Sequence, residues 1–149
     1  MIDEIELGRQ VAALPVRRAP DGTPHVLLVT TLQTHRWIIP KGWPWPGEPD
    51  WNAAAEEARE EAGVLGAPNP VSIGTYSYEK RRSTGAVVPV LVTVYLLSVS
   101  EELDTWPESE QRQRAWFTLR DAAAAVQEPE LQQLLLRLEG ANLGAEPAA

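Results

Sequence analysis

The chain is 149 residues long and carries 13 Lys or Arg against 21 Asp or Glu, for a formal net charge of −8. That length suits one domain with a core of its own, and the acidic balance argues against broad binding to a nucleic-acid backbone. The absence of cysteine excludes disulfides, thiolate metal sites and a cysteine nucleophile.

The first ten residues (MIDEIELGRQ) lack the basic start and apolar run of a signal peptide. No stretch approaches the roughly 20 apolar residues that cross a bilayer. A cytoplasmic protein without membrane partners is therefore expected, with residues 1–140 as one domain. Residues 9–16 (RQVAALPV) and 25–31 (HVLLVTT) read as a β-hairpin, joined through Pro20, Asp21 and Gly22. Trp37, Ile38 and Ile39 make a third short strand, ended by Pro40. Lys41 and Gly42 lead into residues 43–49, a loop that three prolines and a glycine stiffen.

A helix is expected after Asp50, read as its N-cap, with Gly63 as a left-handed stop. At about 100° per residue, Trp51, Ala54, Ala55, Ala58 and Ala62 share one sector and the glutamates the other. After a connection over 66–70, residues 71–79 and 87–99 read as two long strands, the second so apolar that burial on both faces is expected. Residues 101–113 form a charged loop and 115–119 a strand. Residues 120–126 begin a helix that Pro129 interrupts, and 131–138 form a terminal helix with leucines on its core stripe. The end of the chain, 141–149, is too poor in large apolar groups to order itself. Strands alternating with helices, with antiparallel hairpins mixed in, indicate an α/β fold: an α/β/α sandwich around a mixed sheet.

Glu56, Glu57, Glu60 and Glu61 place four carboxylates within six residues of the first helix. Like charges three or four apart repel by roughly a few tenths of a kcal/mol per pair, and a divalent metal is the obvious candidate to offset that. A Glu-rich helix on its own is usually a solvated face. The spacing decides between the two readings. Gly42, five residues, Glu48, seven residues, then Glu56-Glu57-Ala58-Arg59-Glu60-Glu61-Ala62-Gly63-Val64 resembles the Nudix box, and every fixed position matches except the family's arginine, which is Glu56 here. The resemblance implies the Nudix fold over nearly the whole chain. It also implies hydrolysis of a diphosphate linkage with Mg²⁺ or Mn²⁺ held by Glu57, Glu60 and Glu61, the same three being the catalytic set and Glu57 or Glu61 the general base.

The physics of the residues agrees. Glu57 and Glu61 stand at i, i+4 and can share an ion, and their hard oxygens suit Mg²⁺, which takes few carboxylates and keeps waters and substrate phosphates. A metal there screens diphosphate charge and activates water. Glu56 cannot orient the other glutamates as the family's arginine does, so Arg59, Arg36 and Lys41 are the stand-ins to consider.

Residues 9–13, 36–43 and 106–117 look like diphosphoinositol polyphosphate phosphohydrolases, which cleave diphosphoinositol and diadenosine polyphosphates. That resemblance implies Arg9, Arg17, Lys41, Gly42, Arg82, Arg112 and Arg114 as the substrate-binding set around a small, highly anionic substrate; arginine forks suit phosphate. The family's second glycine after the Pro-Lys-Gly corner is Trp43 here, which alters the local loop. Rival readings are ordinary nucleoside di- and triphosphates or nucleotide sugars as substrates, or a Nudix-like module that binds without hydrolysis. Dimers are common in the family, so a homodimer is an open expectation. Trp37, Trp51 and Trp116 are read as packing residues, and Trp43 and Trp45 as an exposed pair on which a nucleobase could stack. His25 and His35 are isolated and structural.

Overall fold

The computed structural model describes residues 8–141, so the expectations for the extreme N-terminus and for residues 142–149 lie outside the described residues. The elements are β1 (Arg9–Arg18), β2 (Pro24–Thr30), β3 (Trp37–Ile38), β4 (Lys41–Gly42), α1 (Asp50–Ala62), β5 (Val64–Pro68), β6 (Gly74–Arg81), β7 (Val87–Glu102), β8 (Arg114–Thr118), α2 (Leu119–Ala125) and α3 (Pro129–Gly140). The hairpin forms as read. Gly22 N–H donates to the Ala19 carbonyl at 2.8 Å, and Asp21 accepts from Thr23 N–H at 2.9 Å, closing the turn between β1 and β2.

Among the described residues, eight strands join one mixed sheet. β1 and β7 run parallel, from Arg9 opposite Leu91 to Val16 opposite Ser98, and the other named pairs are antiparallel. Along β1 the side chains alternate between faces, as a strand's must. Ala12 and Leu14 enter a core shared with α2 and α3, whereas Val11 and Ala13 enter a second core shared with α1. These two cores on opposite faces make the α/β/α sandwich. β1 also divides its pairing: Val16 to Arg18 pair with β2, while Val11 and Ala12 pair with Gly42 and Lys41 of β4. This split brings residues 41–42 alongside α1.

Several expectations are corrected. Lys41 and Gly42, given no element from the sequence, form a short strand. Asp50 is the first residue inside α1, with Pro49 in the capping position and no side-chain cap; its carboxylate accepts from Arg9 at 2.8 Å instead. The strand read at 71–79 begins only at Gly74, and Val71 is exposed. The connection after the helix holds β5, paired to β7 with a bulge between Leu65 and Gly66. β7 is buried on both faces only in part: Val90, Val92 and Val94 fill the α2–α3 core, but Val87 and Leu91 are exposed. Pro129 opens α3 at its first turn, where proline's missing N–H costs no bond.

Candidate active site

The alanines of α1 allow it to sit tightly on the sheet. Ala53, Ala54, Ala58 and Ala62 are fully covered, and Trp51 meets Tyr95 edge-on at 6.3 Å. The glutamates do not share one solvated face. Glu61 is only 7 % exposed, turned inward at the end of the helix, while Glu56 bonds Arg59 on the outer side. Glu60 also lies towards Arg59, at 3.8 Å, and is half-buried.

Glu57 and Glu61 are each placed against β4. A methyl group at Gly42 would overlap the Glu57 carboxylate, so this position of β4 must be glycine for Glu57 to lie against the strand. Glu61 Oε1 accepts from Lys41 N–H at 3.3 Å. Burial, and then the neighbouring charge and hydrogen bond of Glu61, push the Glu57 carboxyl up to about 8. Burial pushes Glu61 up as well, with Arg112 and Lys41 pulling against it. Two carboxylates crowded in a partly buried site favour keeping a proton on one of them, or another cation in its place. Among the described residues no group of three or more His, Asp or Glu is arranged to hold a metal ion. Glu57 and Glu61 thus both meet β4 from one helix, while Glu60 lies beside Arg59.

The end of α1 is fixed by Trp106 from the loop after β7 and by Arg114, the first residue of β8. Gly63 has φ 68°, ψ 34° and its N–H donates to the Arg59 carbonyl at 3.1 Å, the left-handed stop expected. Trp106 Nε1 donates to the Glu61 carbonyl at 2.9 Å. Arg114 donates to the carbonyls of Ala62, Gly63 and Leu103 at 2.8, 3.2 and 2.7 Å, and lies 4.0 Å over the Trp106 ring. These donors satisfy carbonyls that a helix end leaves unpaired, and the cation sits at the negative end of the helix.

The basic set is therefore only partly brought together. Arg112 approaches Glu61 at 3.7 Å and bonds Glu108 and the Thr30 carbonyl. Lys41 places its ammonium 4.8 Å over the Tyr78 ring, and burial lowers its pKa against the pull of Glu61 and Glu128. Arg9 is engaged by Asp50, and Arg17 by Glu102 while lying 4.2 Å over the Trp116 ring. Arg114 is committed to the helix end. Arg82 is half-buried where β6 turns into β7, its N–H donating to the Ala86 carbonyl. Arg36, a stand-in for the missing arginine, pairs with Glu128 at 3.3 Å rather than with the helix glutamates. Arg59 faces outward on Glu56. Sequence reasoning did not single out Glu108 or Trp106; the i, i+4 spacing of Glu108 and Arg112 was the signal available.

Residues 7–138 match the NUDIX domain family. The chain belongs to the Nudix family. Among curated Nudix relatives, it is 34 % identical over 100 residues to Nudix hydrolase 12, mitochondrial, of Arabidopsis thaliana, covering 65 % of this chain and 49 % of the relative. It is 35 % identical over 127 residues to diphosphoinositol polyphosphate phosphohydrolase 2 of Rattus norvegicus, covering 82 % of this chain and 65 % of the relative. The chain thus spans about half to two thirds of the length of the curated relatives it matches. Among solved structures, an Ap4A hydrolase binary complex of C. elegans superposes with TM-score 0.67 at 22 % identity, covering 91 % of this chain and 98 % of that one. A NUDIX hydrolase from Nitrosomonas europaea gives TM-score 0.68 at 23 % identity over 90 % and 89 %. At these identities the superpositions establish the Nudix fold.

Proposed function

We propose that this protein is a metal-dependent Nudix hydrolase that cleaves a phosphoanhydride linkage in a polyphosphorylated small molecule, with water attacking phosphorus. The observation that carries the reading is the Glu57–Glu61 pair, placed against β4 from the end of α1 at the spacing of the Nudix box. The donor set fits a hard divalent cation: two carboxylates, crowded enough to retain a proton, whose remaining cation positions fall to water and substrate phosphates. Glu57 and Glu61 would hold Mg²⁺ or Mn²⁺, which when bound supplies charge neutralisation and a more acidic water. Glu60, next to the pair, is available to a bound water. Gly42 and the Lys41 N–H fix where the two carboxylates lie, and the Glu57–Glu61 pair accepts the proton of the attacking water.

The likeness to diphosphoinositol polyphosphate phosphohydrolase 2 supports a highly anionic substrate, and Arg9, Lys41 and Arg82 are the basic groups we assign to its binding. The exposed Trp43 and Trp45, 37 % and 42 % accessible just after Gly42, favour a second reading in which the substrate carries a nucleobase. Phosphate release with Mg²⁺, measured across dinucleotide polyphosphates, diphosphoinositol polyphosphates, nucleotide sugars and nucleoside triphosphates, separates the two. Glu57→Gln and Glu61→Gln should each remove most turnover while the circular dichroism spectrum is kept, and undiminished turnover in both would refute the site. No turnover of any substrate by the wild type, with a ligand bound, would favour the binding module instead.

Among the described residues no helix is long and apolar enough to cross a membrane. The cytosol is our assignment of location, supported by the lack of cysteine. Several relatives carry "mitochondrial" or "chloroplastic" in their names, so cell fractionation is the test.

A further inference from the structure

The side chain of Arg112 is 9 % exposed, which sets it apart from an ordinary surface arginine. Its three nitrogens point to three different parts of the fold. Nε donates to Glu108 in the same loop, Nη1 donates to the Thr30 carbonyl at the end of β2 at 2.9 Å, and Nη2 stands 3.7 Å from Glu61 Oε2. The loop is itself clamped on both sides. Thr30 N–H donates to the Gln113 carbonyl at 3.0 Å and Thr30 Oγ1 accepts from Gln113 N–H at 2.9 Å, while Glu108 N–H donates to the Glu60 carbonyl at 3.2 Å. A planar fork fixed at two corners holds its third corner in place.

We infer that Arg112 is the positioning residue for the Glu61 carboxylate, a task that Glu56, bonded outward to Arg59, does not perform in this chain. The inference rests on reading Glu57 and Glu61 as the metal-binding pair. Glu61 is steered from two sides: Lys41 N–H fixes Oε1 and the Arg112 charge faces Oε2. At 3.7 Å the arginine orients Oε2 without consuming it in a close hydrogen bond, which leaves that oxygen able to ligate. Burial and occupied donors also remove Arg112 from the set that grips substrate phosphates. Arg112 thus acts on turnover through Glu61 and leaves substrate affinity to other groups.

The test compares wild type, Arg112→Ala, Arg112→Lys and Glu108→Gln, each checked for fold by circular dichroism. Two quantities are read: Mn²⁺ affinity of the substrate-free protein by electron paramagnetic resonance, and kcat and KM for the substrate that the wild type cleaves fastest. Loss of a partner that orients a metal ligand costs roughly 10-fold to 100-fold in metal affinity or activity. Arg112→Ala is expected to weaken Mn²⁺ and lower kcat on that scale with KM nearly unchanged. Arg112→Lys, which keeps the charge without the fork, recovers part of the loss. Arg112→Lys carries the test if Arg112→Ala fails to fold. Glu108→Gln loosens one corner but also removes a negative charge that bears on Glu57 and Glu61, so it is read only through kcat at saturating metal, where a loss smaller than that of Arg112→Ala is expected. The sign is informative, because removing a cation beside a carboxylate would by charge alone tighten Mn²⁺ binding. Equal or tighter Mn²⁺ binding in the Arg112 variants, or a loss confined to KM, overturns the inference. Failure of the wild type to bind Mn²⁺ overturns the metal reading first, and this inference with it.

Discussion

Gly42 and Glu57 lie fifteen positions apart in the chain, and the reason for that spacing is steric. The carboxylate of Glu57 occupies the volume where a side chain at 42 would begin. Gly42→Ala should therefore displace Glu57 while leaving the β1–β4 pairing intact. A misplacement of about 1 Å costs on the order of 100-fold in rate, and kcat measured beside an unchanged circular dichroism spectrum checks it. The same crowding has a signature in pH. Glu57 has its carboxyl raised to about 8, against an ordinary value of 4.5 in the unfolded chain, so the folded state binds the extra proton. Stability without metal is thus full below about 4.5 and falls as pH rises towards about 8. Melting temperature against pH in chelator should show that decline, and Glu57→Gln should flatten it; an equal slope in the variant would assign the effect elsewhere. The pairing of Glu57 with Glu61 was legible because i, i+4 on a helix is a local relation. The partners of Glu61 were not, since Arg112 reaches it only through the tertiary path of a loop pinned to β2.

At the level of the elements, α1 shows what local rules carry and where tertiary contacts override them. Its alanine stripe and its stop at Gly63 follow from periodicity and from the left-handed backbone that glycine permits. Its start does not, because Arg9 draws the Asp50 carboxylate away from the helix end. β5 escaped notice because Gly66 and Pro68 are turn residues by composition; the 16-residue length of β7 gives them an edge to pair with. Arg114 was grouped with phosphate binders because the family resemblance implied it, yet its donors close the end of α1. Arg114→Ala leaves carbonyls at residues 62, 63 and 103 short of a charged donor, a loss of about 2 to 3 kcal/mol. Urea unfolding should read that cost, and KM at a temperature where the variant is folded should hold steady. A raised KM with unchanged stability would return Arg114 to the substrate.

For the whole molecule, the fold was legible because strands alternate with helices along the chain, and the two cores that β1 feeds, one on each face, are what that order requires. What composition alone obscured is where the negative charge matters. The net charge of −8 repels itself over the whole surface, and any salt relieves that by screening. The Glu57–Glu61 pair is different in kind: Glu61 is buried with the Arg112 charge facing it at 3.7 Å, and the repulsion that remains is relieved locally by a proton or a bound cation. Mg²⁺ should therefore stabilise this protein beyond what NaCl of equal ionic strength achieves. A ligand at 100 times its Kd adds about 2.7 kcal/mol, which for a chain of this size raises Tm by roughly 5 to 10 °C. The increment should grow from mildly acidic to alkaline pH as the pair loses its proton, and vanish in the Glu57→Gln, Glu61→Gln double variant. Thermal melts in Mg²⁺ and in matched NaCl decide it: equal shifts in the two salts would mean that the acidic surface, and not the pair, is what the cation relieves.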